Sequence, residues 1–263
     1  MDTAHLLRNI HRLDKDSIIS ISRKIHGTSA IASNCLVKRP LNLMEKLAKI
    51  LGVTIDDAAY DYIYSSRSVV KNDAPTTGFY KQDIWTKAGE DNFKGKLHQG
   101  ETVYYEIVGY LPGTSSFIQK NYAYGCSEGE YKIAVYRITK TGLDGDVTEY
   151  SWSAMKERCR EMNVPMVEEY EYGNLWAIYN NRTGWTLNED DWREKFVEWL
   201  KSFYLEKDCA DSIDSKGKKM PDEGIVLRIE GLGIEVYKLK SEKFLLKENQ
   251  MKDEEVEDIE EKG

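Results

Sequence analysis

Apolar and polar residues alternate along Ser17–Arg23, the period-two signature of a half-buried strand, and Ala30–Val37 reads as a second strand after a turn at Gly27. Lys24 therefore stands where a strand ends. Over Leu41–Leu51 the period changes: Leu43, Met44, Leu47, Ile50 and Leu51 fall at helical spacing between Pro40 and Gly52, which predicts a short amphipathic helix whose apolar face packs in the core. Thr102–Tyr110 and Tyr131–Thr139 are aromatic and β-branched and are bounded by Gly100, Pro112, Gly129 and Gly142, so both read as strands. Helices are predicted over Ser151–Met162 and again from Asn188, where Trp192, Phe196, Leu200 and Phe203 line one face.

The last pair of runs carries more information. Gly224–Glu230 and Glu235–Lys240 are strand-like and are joined by Gly231, Leu232 and Gly233, which predicts a hairpin. Alternation puts Val236, Lys238 and Lys240 on one face of the second arm and Glu235, Tyr237 and Leu239 on the other. A turn centred near Leu232 sets position 240 opposite 224 and position 238 opposite 226, so Glu223 falls beside the lysine end. Two ammonium groups on one face repel each other, and such a pair either receives a polyanion or is a solvated edge that discourages aggregation.

Composition narrows the class without choosing between those readings. The chain has 263 residues and a net charge of −8, with 41% hydrophobic and 31% charged residues, which fits one large globular domain or one with a small appendage and excludes a basic coat or histone-like protein. Between Asp253 and Glu261 stand seven carboxylates and no cation, so the remainder of the chain is close to neutral and its net charge says nothing about nucleic acid. No apolar run approaches the roughly 18 residues that span a bilayer, and Met1–Arg12 lacks a secretory apolar stretch, so the expected location is the cytosol, away from membranes. Cys35, Cys126, Cys159 and Cys209 stand singly, and the four histidines have no helical zinc spacing, which argues against a disulfide framework or protein-ligated zinc.

Several short segments, in order, resemble the motifs of covalent nucleotidyltransferases, the family of ATP-dependent RNA and DNA ligases and messenger-RNA capping enzymes. Lys24-Ile25-His26-Gly27 followed by Thr28 is similar to the first motif of RNA ligases of the phage and kinetoplastid RNA-editing type. Ser65-Ser66-Arg67-Ser68, Tyr104-Tyr105-Glu106 and Tyr136-Arg137-Ile138 resemble the segments that hold ribose or phosphate, hold the ribose hydroxyls and stack on adenine. Glu223-Gly224-Ile225-Val226-Leu227-Arg228 resembles the fourth motif and Tyr237-Lys238-Leu239-Lys240 the fifth, so the resemblance runs from Lys24 to Lys240. The segments depart from the family pattern in places: Arg23 stands where many relatives carry a glutamate, Arg228 where most carry a lysine, Tyr104-Tyr105 where Phe-Gly is commoner, and Tyr136-Arg137-Ile138 in place of Phe-Asp-Ile.

The resemblance implies an α+β, ATP-grasp-like nucleotidyltransferase core of antiparallel sheets flanked by helices around an ATP cleft. It implies an ATP-dependent RNA ligase of RNA repair that uses magnesium, or manganese in its place. Lys24 would be the nucleophile forming lysyl-AMP, assisted by Lys238 and Lys240, and the RNA partner would bring a 5′-phosphate and a 3′-hydroxyl. Ile25, His26, Gly27, Arg67, Glu106, Tyr136, Glu223, Arg228, Lys238 and Lys240 would line the nucleotide site, with Glu223 also placing the metal. A lysine attacks only as the free amine, and on this reading the two neighbouring cations disfavour its proton. Arg228 is expected to contact phosphate, and the basic stretches Ser215–Lys219 and Arg8–Arg23 either meet a nucleic-acid backbone or are solvated. Residues 1–247 would form the adenylylation domain, and 248–263 an acidic tail where RNA ligases of this group often continue into a small helical domain. The alternatives are a DNA ligase, a GTP-dependent capping enzyme, or a non-catalytic module that binds nucleic-acid ends; His26 and the lack of an oligonucleotide-binding domain after Lys240 favour RNA.

Overall fold

A computed structural model describes residues 3–67, 83–184 and 190–253. Its strands are β1 (Ala4–His5), β2 (Ile18–Lys24), β3 (Thr28–Lys38), β4 (Ala58–Ser66), β5 (Glu101–Gly109), β6 (Tyr131–Thr141), β7 (Val147–Glu149), β8 (Glu169–Asn174), β9 (Asp208–Ile213), β10 (Lys219–Pro221), β11 (Gly224–Glu230) and β12 (Glu235–Lys240). Its helices are α1 (Leu43–Ile50), α2 (Ile84–Phe93), α3 (Trp152–Met162), α4 (Leu175–Thr183), α5 (Trp192–Tyr204) and α6 (Glu242–Asp253). Two five-stranded sheets, ordered β1-β12-β11-β2-β8 and β4-β3-β5-β6-β7, carry the fold, with β9 and β10 as a separate hairpin. All pairings between these strands are antiparallel except β1 with β12, so the expected α+β class is what the chain forms. Among the described residues no helix is long and apolar enough to cross a membrane.

Alternation along the strands decides which face meets which core. Ile19 and Ile21 of β2, Ile225 and Leu227 of β11 and Tyr237 and Leu239 of β12 are buried against Trp192, Phe196, Trp199 and Leu200 of α5. Each such side chain contributes about 1.5–3 kcal/mol when fully buried. The opposite face of the same strands carries Ser20, Ser22, Lys24, Val226, Lys238 and Lys240. In the second sheet Ala30, Ala32, Val103, Tyr105, Ile107 and Val135 face Ile84, Trp85, Phe93, Trp152 and Met155 of α2 and α3. That leaves Ser29, Ile31, Tyr104 and Glu106 on its free face. The sheets are tied at one end by Arg228, which pairs with Glu149 at 2.9 Å and Glu230 at 2.7 Å.

Local chemistry sets the element ends. Ser151 and Asn174 cap α3 and α4 by accepting backbone N–H groups of Ala154 and Ala177, and α3 stops at Asn163 in the left-handed region. The start of α5 expected at Asn188 lies outside the described residues; the helix is observed from Trp192. Phe203, expected on its buried stripe, is exposed, and Trp199 and Tyr204 occupy the core instead. Helix α6 runs through the domain boundary expected between residues 247 and 248 and buries Phe244 against the body.

Helix α1 forms where its periodicity puts it, held by a reciprocal Asn42–Glu45 capping box, but its apolar face is not in the core. Leu43, Met44, Ile50 and Leu51 are all at least 75% exposed. The reason is the strand register. Strand β3 pairs with β5 only as far as Ser33–Thr102, whereas it pairs with β4 out to Lys38–Ala58, so α1 sits at the tip of a two-stranded arm beyond both cores.

Candidate active site

The observed hairpin has the register its turn predicts: Gly224 lies opposite Lys240 and Val226 opposite Lys238. On its other edge Gly224 lies opposite Lys24. One rung of the first sheet thus holds Lys24, Gly224 and Lys240 on three adjacent strands, all approaching the cleft. A Cβ at Gly224 would lie 2.2 Å from the Leu239 carbonyl oxygen and 2.9 Å from the Lys240 Cα, and its φ of +137° is open chiefly to glycine. Gly224→Ala is therefore expected to cost about 2–3 kcal/mol in denaturant unfolding and to move Lys240 off its rung.

Glu223 precedes that glycine and is 3% exposed. Its Oε1 accepts from Lys24 Nζ at 2.8 Å and from Lys240 Nζ at 3.1 Å, while Oε2 is buried with no hydrogen-bond partner among the described residues. Burial pushes the Glu223 pKa up, but the nearby charges of Lys24, His26 and Lys240 outweigh it and hold the carboxyl below its ordinary value. The carboxylate therefore stays ionised between two ammonium groups. The two lysines thus share one carboxylate, with Lys24 at 2.8 Å and Lys240 at 3.1 Å.

The turn after Lys24 is locked on three sides. Ile25 packs into two apolar clusters, and the His26 ring meets Tyr122 and Phe244 edge-on at 4.9 and 5.0 Å. A Cβ at Gly27 would lie 2.6 Å from the Ile107 carbonyl oxygen and 3.2 Å from Glu106 Oε2. Glu106 is thus beside the turn, on the rung of Ser29 and Ala134. Tyr136 lies on the Glu106 face by alternation from Ala134, an irregularity between β5 and β6 brings Arg137 to that face as well, and the Tyr136 hydroxyl sits 2.8 Å from Ser29 Oγ. Burial, then Glu106, push that hydroxyl's pKa up.

Other expected site residues are placed differently. Lys238 is two residues along β12 from Lys240, between Val226 and His5. Arg67 is exposed just past the last β3–β4 pair, Ala30–Ser66, and Ser68 lies outside the described residues. Arg228, expected on phosphate, is 3% exposed and is held by Glu149, Glu230 and the Tyr150 carbonyl; a guanidinium already met by two carboxylates is occupied in tying the sheets. Arg23 is held by Asp222 at 2.7 Å and lies 3.7 Å from Glu168. Arg12 pairs with Glu235 and Lys15 lies 5.7 Å from the Trp192 ring, so part of the N-terminal basic stretch holds the chain terminus to the body. Lys216 and Lys218 remain on an exposed loop folded around Asp214.

Five site neighbours carried no sequence signal beyond their aromatic or polar character. Gln119, Tyr122 and Tyr124 reach the active-site backbone from loop 110–130, and Phe244 and Glu248 of α6 lie 5.0 and 3.9 Å from Lys240 Nζ. Among the described residues no three His, Cys, Asp or Glu side chains converge. A divalent ion would thus be held through Glu223, whose buried unpartnered oxygen suits a hard cation, with the other ligands coming from phosphate and water.

No family model matches the chain, and no curated protein matches it in sequence. Its fold is similar to that of solved variants of the Naegleria gruberi RNA ligase with ATP and manganese. One is 14% identical over 95% of this chain and 57% of its own, with a TM-score of 0.53. A second is 13% identical with the same coverage and a TM-score of 0.52. The chain thus shares its fold with those ligases and spans 57% of their length.

Proposed function

We propose that the protein is an ATP-dependent RNA ligase whose first step joins AMP to Lys24. The observation that carries this reading is the buried Glu223 carboxylate, which a strand-end lysine and a second lysine on the neighbouring rung both meet within 3.1 Å. A surface lysine needs no such arrangement, and a module that only binds nucleic acid has no use for a nucleophile in it. The similar fold of an RNA ligase solved with ATP supports the same reading.

In this mechanism Glu223 first holds Lys24 at the cleft as an ammonium. For attack the Lys24 ammonium first gives its proton to water, and the free amine then attacks the α-phosphate; a divalent cation at Glu223 would favour that loss by engaging the carboxylate. An N–P bond forms, the α–β phosphoanhydride breaks, and pyrophosphate leaves with the electron pair. Lys240 stays on the same rung and offsets the charge that grows on the α-phosphate oxygens, with Lys238 next along the strand. Magnesium or manganese held by Glu223 would screen the phosphates. Glu106 would take the ribose hydroxyls, Tyr136 the adenine face and Arg67 the ribose or phosphate, with Ile25, His26 and Gly27 shaping the pocket wall. AMP then passes to an RNA 5′-phosphate, and a 3′-hydroxyl displaces it to close the phosphodiester.

Incubation with α-labelled ATP or GTP and magnesium, followed by a denaturing gel, tests the reading. Label retained from ATP is expected; label from GTP alone would indicate capping chemistry, and no label a binding module. DNA and RNA ends offered to the labelled protein separate the two ligase classes. Lys240→Ala is expected to slow single-turnover labelling by roughly a hundredfold or more, with a smaller loss for Lys238→Ala. An unchanged rate in Lys240→Ala would remove the hairpin from the mechanism.

A further inference from the structure

Loop 110–130, between β5 and β6, passes over the site and sends polar groups to the backbone on both sides of it. Gln119 Nε2 donates to the Gly27 carbonyl at 3.1 Å, and the Tyr124 hydroxyl accepts the His26 N–H at 2.8 Å. The Tyr122 hydroxyl donates to the Pro221 carbonyl at 2.8 Å. The first two contacts grip the turn after the nucleophile; the third grips the chain two residues before Glu223. All three side chains are buried.

These contacts fall where the sheet gives out. The β2–β11 ladder ends at Lys24–Gly224, so no strand pairing sets residues 25–27 relative to 221–223. The loop supplies that registration, and its own backbone is bent to do so. Asn121 and Tyr124 sit in the left-handed region at φ 68° and 48°, unfavourable for a bulky residue unless its surroundings impose it. At Tyr124 the surroundings impose it: its N–H donates to Ser212 Oγ at 3.1 Å, its carbonyl accepts Lys132 Nζ at 3.0 Å, and the next N–H, of Gly125, donates to the Asp211 carbonyl at 3.0 Å. The Tyr124 hydroxyl is thereby aimed at one backbone N–H of the nucleophile turn.

We infer that Gln119, Tyr122 and Tyr124 are positioning residues that register the Lys24 turn against Glu223 for nucleotide transfer, an inference resting on the reading of Lys24 as nucleophile. In-line attack tolerates little displacement of the amine from the α-phosphate, so a turn free to shift loses rate before it loses affinity. The loop acts through the turn and touches no reacting atom.

Tyr124→Phe removes the oxygen that accepts the His26 backbone N–H and keeps the ring. Single-turnover labelling from ATP is expected to fall roughly ten- to a hundredfold with the KM for ATP nearly unchanged. Sealing of chemically pre-adenylylated RNA, which bypasses attack by Lys24, is expected to fall far less. Gln119→Met, close in shape but without the donor, is expected to show the same split and serves if the tyrosine variant does not fold. A normal labelling rate in both variants overturns the inference, as does an equal fall in both steps accompanied by a lower Tm, which marks a merely structural role. Failure of the parent reading looks different: Lys24→Ala would then take label as the unaltered protein does.

Discussion

Lys24→Ala is expected to abolish the covalent adduct with labelled ATP while leaving sealing of pre-adenylylated RNA partly intact. The two outcomes separate because only the first step forms a bond to the lysine; in later steps the nucleotide is already on the RNA. The substitution also keeps the site folded. Glu223 retains Lys240 at 3.1 Å, so its buried charge is still paired, and the Lys24 backbone remains in the ladder opposite Gly224. The comparison is made on a denaturing gel for labelling and on a sizing gel for sealing. Full labelling by the variant would take Lys24 out of the chemistry; loss of both steps with loss of folding would mean the lysine is structural.

Glu223→Gln is expected to have the next largest effect, on stability as well as rate. It leaves the ammonium groups of Lys24 and Lys240 on one rung without the carboxylate that now bridges them. Breaking a buried ion pair by removing one partner costs about 3–5 kcal/mol; because both lysines are partly solvated, roughly 2–3 kcal/mol is expected here, a fall in Tm of roughly 5–10 °C. The pH dependence has a definite sign. The Glu223 carboxyl is held below its ordinary value in the folded chain, so its ion pairs contribute stability above the unfolded carboxyl pKa and lose it as pH falls through the lower folded value. The difference in Tm between wild type and Glu223→Gln should therefore be full near neutrality and shrink in acid. A difference that grows toward acid would contradict the charge assignment.

Part of this was legible in the chain because short-range rules fix it. Two glycines flanking Leu232 set the turn, the turn set the register, and the register put Lys240 opposite Gly224. That Lys24 lies on the far side of the same glycine depends on β2 pairing with β11 across some 200 residues, and only the ordered resemblance of the segments pointed there. What remained hidden depends on partners that no local pattern names. The periodicity of α1 shows an apolar face but not what covers it, and the long β3–β4 arm carries it away from both cores. Arg228 reads as a phosphate ligand until Glu149 and Glu230 are seen to hold it. Tyr136 reads equally as a buried strand aromatic; that it shares a face with Glu106 and meets Ser29 depends on pairing between distant strands. Glu248 fell in the expected acidic tail, yet it belongs to a helix whose Phe244 packs on His26.

The most direct test is to incubate the protein with ATP and magnesium, digest it, and locate the nucleotide by peptide mass spectrometry. The account predicts AMP in phosphoramidate linkage on the peptide that contains Lys24. AMP on any other residue, or no covalent nucleotide from ATP, would contradict it.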